Sequence, residues 1–252
     1  MECFSPVRLK CEVSPEHPNG YVDVACGKCE ACITKKRIDW STRLTYEAYY
    51  AGVSHFVTLT YAPEHLQISD SGYPEVSKEH VQLFFKRLRS NLKRNYGIEK
   101  IRYYLVAEYS PIPKRPHYHL LIFGAKIVPS VLQSIIFDAW SKGIVSVYPI
   151  TPRRISYVLK RHALPKDFGH PTGTCAPFNL MSRRPGLGSS YLSSSRIQYH
   201  KGNIGRQYMF LPDGSKRRIP RYYFERLFSE DEKKVAKRIK QAYRKELEPK
   251  FE

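Results

Sequence analysis

The stretch Arg115-Pro116-His117-Tyr118-His119-Leu120-Leu121-Ile122-Phe123-Gly124 sets the frame for the whole chain. Two imidazoles alternate with bulky residues, an apolar run follows them and a glycine ends it, the pattern of a buried β-strand. Period-two geometry turns His117 and His119 to one face and sends Tyr118 and Leu120 toward the core on the other. Two neutral imidazoles held side by side chelate a divalent cation. Glu108, upstream on a neighbouring apolar segment, completes a set of two histidines and one carboxylate if a hairpin brings it opposite them. The structural alternative is a pair of half-buried histidines beside a carboxylate that is ion-paired at the surface.

Reading outward, residues 54–61 alternate as a strand that ends before Pro63. From Ser77, a good N-cap, Val81, Phe84, Phe85, Leu88 and Leu92 recur at helical spacing to about Tyr96, and Gly97 stops the pattern. Residues 101–109 and 117–123 form two strands joined by a Pro-rich turn. Leu132, Ile135, Ile136 and Trp140 mark a second helix ended by Gly143, and 144–148 is a further strand. The order β-α-β-β-α-β predicts an α+β fold: an antiparallel sheet with a split-βαβ, ferredoxin-like core and helices on one face. Around this core (51–164) lie a Cys-rich basic N-terminal segment (1–50) and a basic Gly/Ser-rich loop with a C-terminal extension (165–252).

Pro152 then opens a helix on which Tyr157 and Lys160, three residues apart, share a face and can approach one phosphate. Read alone, the same pair is also a tyrosine packed on the sheet beside a solvated lysine. Cys26-x-x-Cys29-x-x-Cys32 has the spacing of a Zn²⁺ site, with Cys3 or Cys11 as fourth ligand. Cys11 is the expected one, through a hairpin, and plain reduced thiols are the alternative. In the stretch 165–195, the amides of Pro185-Gly186-Leu187-Gly188 and the paired Arg183 and Arg184 are expected to clamp phosphates. Residues 221–243 read as one basic helix.

Forty-two Lys and Arg against twenty-three Asp and Glu give a net charge of +19, the footprint of a phosphate-backbone binder. Nineteen tyrosines, several beside cations, suit unpaired bases. A membrane partner is not expected, since no run approaches the ~18 apolar residues of a spanning helix and the N-terminus has no signal-peptide core. The expected location is a cytoplasm.

Phe56-Val57-Thr58-Leu59-Thr60, the His117-Tyr118-His119 strand and Tyr157-Val158-Leu159-Lys160 occur in the order of the three motifs of the HUH endonucleases, which the chain resembles. With Cys26-Gly27-Lys28-Cys29-Glu30-Ala31-Cys32 and Met181-Ser182-Arg183-Arg184-Pro185-Gly186-Leu187-Gly188, it is similar to the rolling-circle replication initiators of small single-stranded DNA phages, the gokushovirus-like microviruses. The resemblance implies that Glu108, His117 and His119 hold Mg²⁺ or Mn²⁺ and that Tyr157 attacks the scissile phosphate of single-stranded origin DNA, aided by Lys160. It further implies a 5′-phosphotyrosine, a 3′-hydroxyl primer, and a host bacterial polymerase and helicase as partners. Arg115, Arg153, Arg154, Arg161, Arg183 and Arg184 are the cations expected on the DNA. One departure stands out: where the two-tyrosine relatives carry a second phenol one turn earlier, this chain has Arg153. A non-catalytic basic nucleic-acid-binding protein with a zinc knuckle and an RNA-processing factor are the alternative functions.

Overall fold

The computed structural model describes residues 3–15, 17–162 and 170–247; the side chain of Arg161 and residues 165–169 lie outside them. In chain order the elements are β1 (Val7–Lys10), β2 (Tyr21–Val24), α1 (Glu30–Ala51), β3 (Ser54–Thr60), β4 (Gln67–Ile68), β5 (Pro74–Glu75), α2 (Lys78–Tyr96), β6 (Arg102–Tyr109), β7 (Pro116–Phe123), α3 (Pro129–Trp140), β8 (Val145–Pro149), α4 (Pro152–His162), β9 (Phe178–Met181), α5 (Ser194–Lys201), β10 (Tyr208–Phe210), β11 (Lys216–Arg218), α6 (Arg221–Leu227) and α7 (Glu230–Leu247). Strands β8-β3-β7-β6-β9 form one sheet in that order, every neighbouring pair antiparallel. The expected β-α-β-β-α-β core is present, with β9 added at the β6 edge.

Local chemistry sets several ends. The Ser77 side chain accepts from the His80 amide and opens α2, while Gly97, at φ 64°, returns its amide to the Leu92 carbonyl and closes it. Helix α3 stops at Ser141, two residues before the expected Gly143. The glycine is needed for another reason: at φ 150° it lies against the Thr60 to Ala62 backbone, where a Cβ has no room.

Alternation along the strands divides the sheet. Val57, Leu59, Leu105, Tyr118, Leu120 and Ile122 face α2 and α3 and form the main core with Val81, Phe84, Leu88, Ile136 and Trp140. Helices on one face only is where the expectation fails. Phe56, Tyr104, Val106, Leu121 and Phe123 make the opposite face apolar at one end, and Leu44 of α1 with Ile155, Val158 and Leu159 of α4 cover it. A third cluster, including Tyr46, Tyr191, Met209, Tyr223 and Leu227, joins the C-terminal elements to α1.

The expected single helix over 221–243 is two. Phe228 is extended and buried, and Ser229 starts α7 with a capping box: its amide donates to Glu232 Oε2 (2.7 Å) and its hydroxyl accepts from the Glu232 amide (3.3 Å). Among the described residues, no helix is long and apolar enough to cross a membrane.

Candidate active site

The register of three strands assembles the site. Glu108 pairs directly with His117, and His119 lies between Val106 on one side and Thr58 on the other. Parity therefore turns Thr58, Glu108, His117 and His119 to the face shared with α4, at the end of the strands beyond its apolar cover. Glu108 Oε1 is 3.2 Å from His117 Nε2 and 3.1 Å from His119 Nε2. One donor atom from each residue lies within 4.8 Å of the others, a spacing that fits one divalent ion with open positions left for substrate.

The surrounding groups orient these donors. His117 Nδ1 is 3.2 Å from the Arg115 carbonyl, which can only accept, so this nitrogen carries the proton and Nε2 presents its lone pair. His119 Nδ1 is 3.1 Å from Thr58 Oγ1, which plays the same part. Phe56 stacks on the His119 ring at 5.5 Å. Burial pushes the Glu108 carboxyl up, but the hydrogen bonds from His117 and His119 outweigh it and bring it down to about 2. The carboxylate is therefore held ionised in a place only 5% exposed.

Helix α4 supplies the remaining group. With Ile155, Val158 and Leu159 buried, its other side carries Tyr157 and Lys160, both exposed. The Tyr157 ring stands edge-on to His119 with centroids 4.9 Å apart, and its hydroxyl is 3.3 Å from His119 Nε2. Lys160 follows at three residues on the same face, where its ammonium reaches solvent.

The arginines divide by location. Arg115 donates to the Tyr61 carbonyl at 2.6 Å beside the site. Arg154 donates to the Pro149 carbonyl at 2.8 Å and lies 4.8 Å over the Tyr148 ring, while Arg153 is exposed at the start of α4. Arg183 and Arg184 are placed elsewhere. They follow β9 where Ser182 donates to the Tyr103 carbonyl, at the Arg102 end of β6 and roughly 20 Å along the strand from Glu108. The loop amides beside them are also engaged, since the Gly188 amide donates to Glu47 Oε2 at 2.7 Å and the Leu187 carbonyl accepts from Arg43 at 3.0 Å. This turn docks on α1, and a Cβ on Gly188, at φ 78°, would run into Tyr223 and Arg43. Its expected place as a phosphate clamp at the scissile bond is thus corrected.

The cysteines assemble differently from the expected set. Cys3, Cys26, Cys29 and Cys32 bring their sulfurs within 4.8 Å of one another, and Cys11 is not among them. The reason is the antiparallel pairing of Val7 with Val24 and Lys10 with Tyr21. It sets the residue before β1 beside the one after β2 and leaves Cys11 at the turn end, where its amide donates to the Gly20 carbonyl. Amides of Cys32 and Phe4 hold the Cys29 thiol down to about 6. The Gly27 amide favours the Cys32 thiolate, but burial and the neighbouring thiols override it and drive it up to about 12.

Thr58 and Phe56 are site residues that motif reading passes over. Their signal is strand parity: both share the face of His119 once β3 and β7 are in register.

A sheet of this order with a carboxylate and two imidazoles at its open end and a helical tyrosine against them defines a class of replication protein. Residues 54–163 match the model of the Replication-associated protein ORF2 family, and this part of the chain belongs to that family. The chain is similar to Replication-associated protein VP4 of Bdellovibrio phage phiMH2K, at 29% identity over 214 residues, 79% of this chain and 65% of that protein. Replication-associated protein ORF2 of Spiroplasma virus 4 is 37% identical over 103 residues, 40% of this chain and 32% of that protein. Replication-associated protein ORF4 of Chlamydia phage 1 is 34% identical over 101 residues, 40% of this chain and 24% of that protein. The chain is a relative of phage replication initiators, and its matches span just under two thirds, a third and a quarter of these relatives' lengths.

Proposed function

We propose that this protein initiates rolling-circle replication by nicking single-stranded origin DNA through Tyr157. One observation carries the reading: the phenol of α4 lies 3.3 Å from an imidazole that is itself 3.1 Å from a buried carboxylate, so nucleophile and ligand set meet at one point from separate elements. Glu108 Oε1 and the Nε2 atoms of His117 and His119 are the donors for Mg²⁺ or Mn²⁺, which when bound supplies Lewis-acid polarisation of the scissile phosphate. Carboxylate and imidazole together suit such cations, and both imidazoles are oriented through Nδ1.

In the reaction the Tyr157 oxygen forms a bond to phosphorus as the bond from phosphorus to the 3′ oxygen breaks. The phenol gives up its proton and the leaving 3′ oxygen takes one, so a 5′-phosphotyrosine and a free 3′-hydroxyl result. Lys160 offsets charge on the phosphate from the same helical face. Arg115, Arg153 and Arg154 flank the site and contact the backbone of the strand. A host polymerase extends the 3′-hydroxyl and a host helicase opens the duplex ahead of it, in the bacterial cytoplasm. Because α4 carries one phenol and Arg153 one turn earlier, closure of the circle uses either a second copy of the chain or attack by the new 3′-hydroxyl on the phosphotyrosine bond.

The test incubates the chain with Mn²⁺ and a labelled single-stranded origin library and isolates covalent protein–DNA adducts. Wild type forms an adduct that maps to Tyr157, and Tyr157→Phe forms none while binding DNA within a few-fold of wild type. An adduct undiminished in Tyr157→Phe, or nicking that persists in EDTA, overturns the reading.

A further inference from the structure

The segment from Cys3 to α1 has almost no core of its own. Among its described residues only Gly20 is buried, β1 is exposed along its whole length, and Phe4, Val7, Leu9 and Val13 each stand 46% exposed or more. A chain of this length without a buried apolar cluster needs another source of order, as small domains generally do. The convergent feature of the segment is its sulfurs. Cys3 and Cys26 are 23 residues apart, yet their Sγ atoms lie 3.4 Å from each other, and Cys29 Sγ lies 3.8 Å from Cys3 Sγ.

These distances select among the things four thiols do. They exceed the ~2.05 Å of a disulfide. A tetrahedron with metal–sulfur bonds of about 2.3 Å has edges of about 3.8 Å, so the spacing is that of four ligands around one ion. Backbone donors complete the arrangement: the amides of Lys28 and Cys29 donate to Cys26 Sγ at 3.4 and 3.3 Å, and the Cys26 amide donates to Cys3 Sγ at 3.3 Å. Such bonds stabilise thiolates, the form in which sulfur binds a metal. Cys29 is the N-cap residue of α1 and Cys32 lies in its first turn, so one ion at this point joins the β1–β2 hairpin to the helix that carries Lys35, Lys36 and Arg37.

We infer that Cys3, Cys26, Cys29 and Cys32 bind one Zn²⁺ as a tetrathiolate and that this ion orders the N-terminal segment against α1. Zn²⁺ takes the four sulfurs as thiolates and the thiol protons pass to solvent. The site is a structural one, closed by four protein ligands, in contrast to the open set at Glu108, His117 and His119. It stands independently of the role proposed for Tyr157.

The experiment uses the full chain without DNA, so that its outcome is separate from that of the nicking assay. Metal analysis after a brief EDTA wash that strips Mn²⁺ is expected to find one Zn²⁺ per chain. A thiol reagent is expected to react at Cys11 and Cys175 at once and at the other four only after the zinc is withdrawn. Limited proteolysis is expected to cut within 3–29 on zinc removal and to leave the sheet intact. Replacement of the ion by Co²⁺ is expected to give the visible absorption of a tetrahedral tetrathiolate, a measurement on wild type that needs no variant. Cys3→Ser is expected to lower Zn²⁺ affinity by at least a hundredfold, and Cys11→Ser to leave it unchanged. Iron in place of zinc, a disulfide among the four, immediate reaction of all six thiols in the zinc-loaded chain, or full retention in Cys3→Ser would each overturn the assignment.

Discussion

The two faces of the central sheet come from the same strands and carry opposite chemistry. Facing α2 and α3, Tyr118, Leu120 and Ile122 are fully buried in a continuous apolar core. Facing α1 and α4, Leu121 and Phe123 are buried too, but the same strand then presents His119 and His117 beyond the edge of that cover. The closed face holds β3, β6 and β7 in register, and the register sets the distances between the donors on the other. Rigidity on one side is thus what positions the groups on the other.

The sharpest way to break that division is to delete a ligand from the polar face. His119→Ala is expected to reduce adduct formation by about a thousandfold or more, because it removes a metal donor and the group next to the Tyr157 hydroxyl. Its effect on global stability is far smaller, and a nicking assay with a denaturation curve on the same preparation checks both. The reciprocal change falls on the closed face. Leu120→Ala is expected to cost about 2–5 kcal/mol of unfolding free energy through the cavity it leaves. Mn²⁺ affinity of the folded protein, measured by calorimetry, is expected to stay within about twofold; a large loss there would show that the two faces are not separable.

A smaller change sharpens the comparison within the polar face. Thr58→Val keeps the side chain's shape but removes the acceptor for His119 Nδ1, and a loss of about 10- to 100-fold in Mn²⁺ affinity is expected. The smallest effect is expected far along the sheet. Replacing both Arg183 and Arg184 by Ala is expected to change the adduct rate at saturating DNA by no more than about twofold and to act on affinity and its salt slope instead. A large fall in the rate at saturation would return these arginines to the scissile phosphate.

Much of the core was legible because its signals are local. Ser77 and Gly97 bound a helix with a clear apolar stripe, and alternation in 117–123 assigns each side chain to a face without reference to anything else. Helix α1 was not legible in this way. Its sequence mixes cations, tyrosines and small residues with no sustained stripe, since one side rests on the sheet, another on the C-terminal cluster and its start on the thiols. Strand β9 was hidden inside a Gly- and Ser-rich stretch, because it is a strand only by virtue of the free edge of β6.

The sequence by itself determined which residues could carry chemistry, since residue type and period-two spacing are properties of neighbours in the chain. It therefore placed His117 and His119 on one face and Tyr157 and Lys160 on another element's shared side. Tertiary structure alone decided which distant residues meet. It set Thr58 behind His119 through the β3–β7 register and brought Tyr157 to the imidazole by packing α4 on the apolar end of the sheet. It chose Cys3 over Cys11 because antiparallel pairing joins the outer ends of a hairpin, and it sent the Arg183–Arg184 turn to α1, where Glu47 takes the Gly188 amide. Each of these turns on the alignment of segments far apart in sequence, and that alignment is settled by which apolar surfaces bury one another.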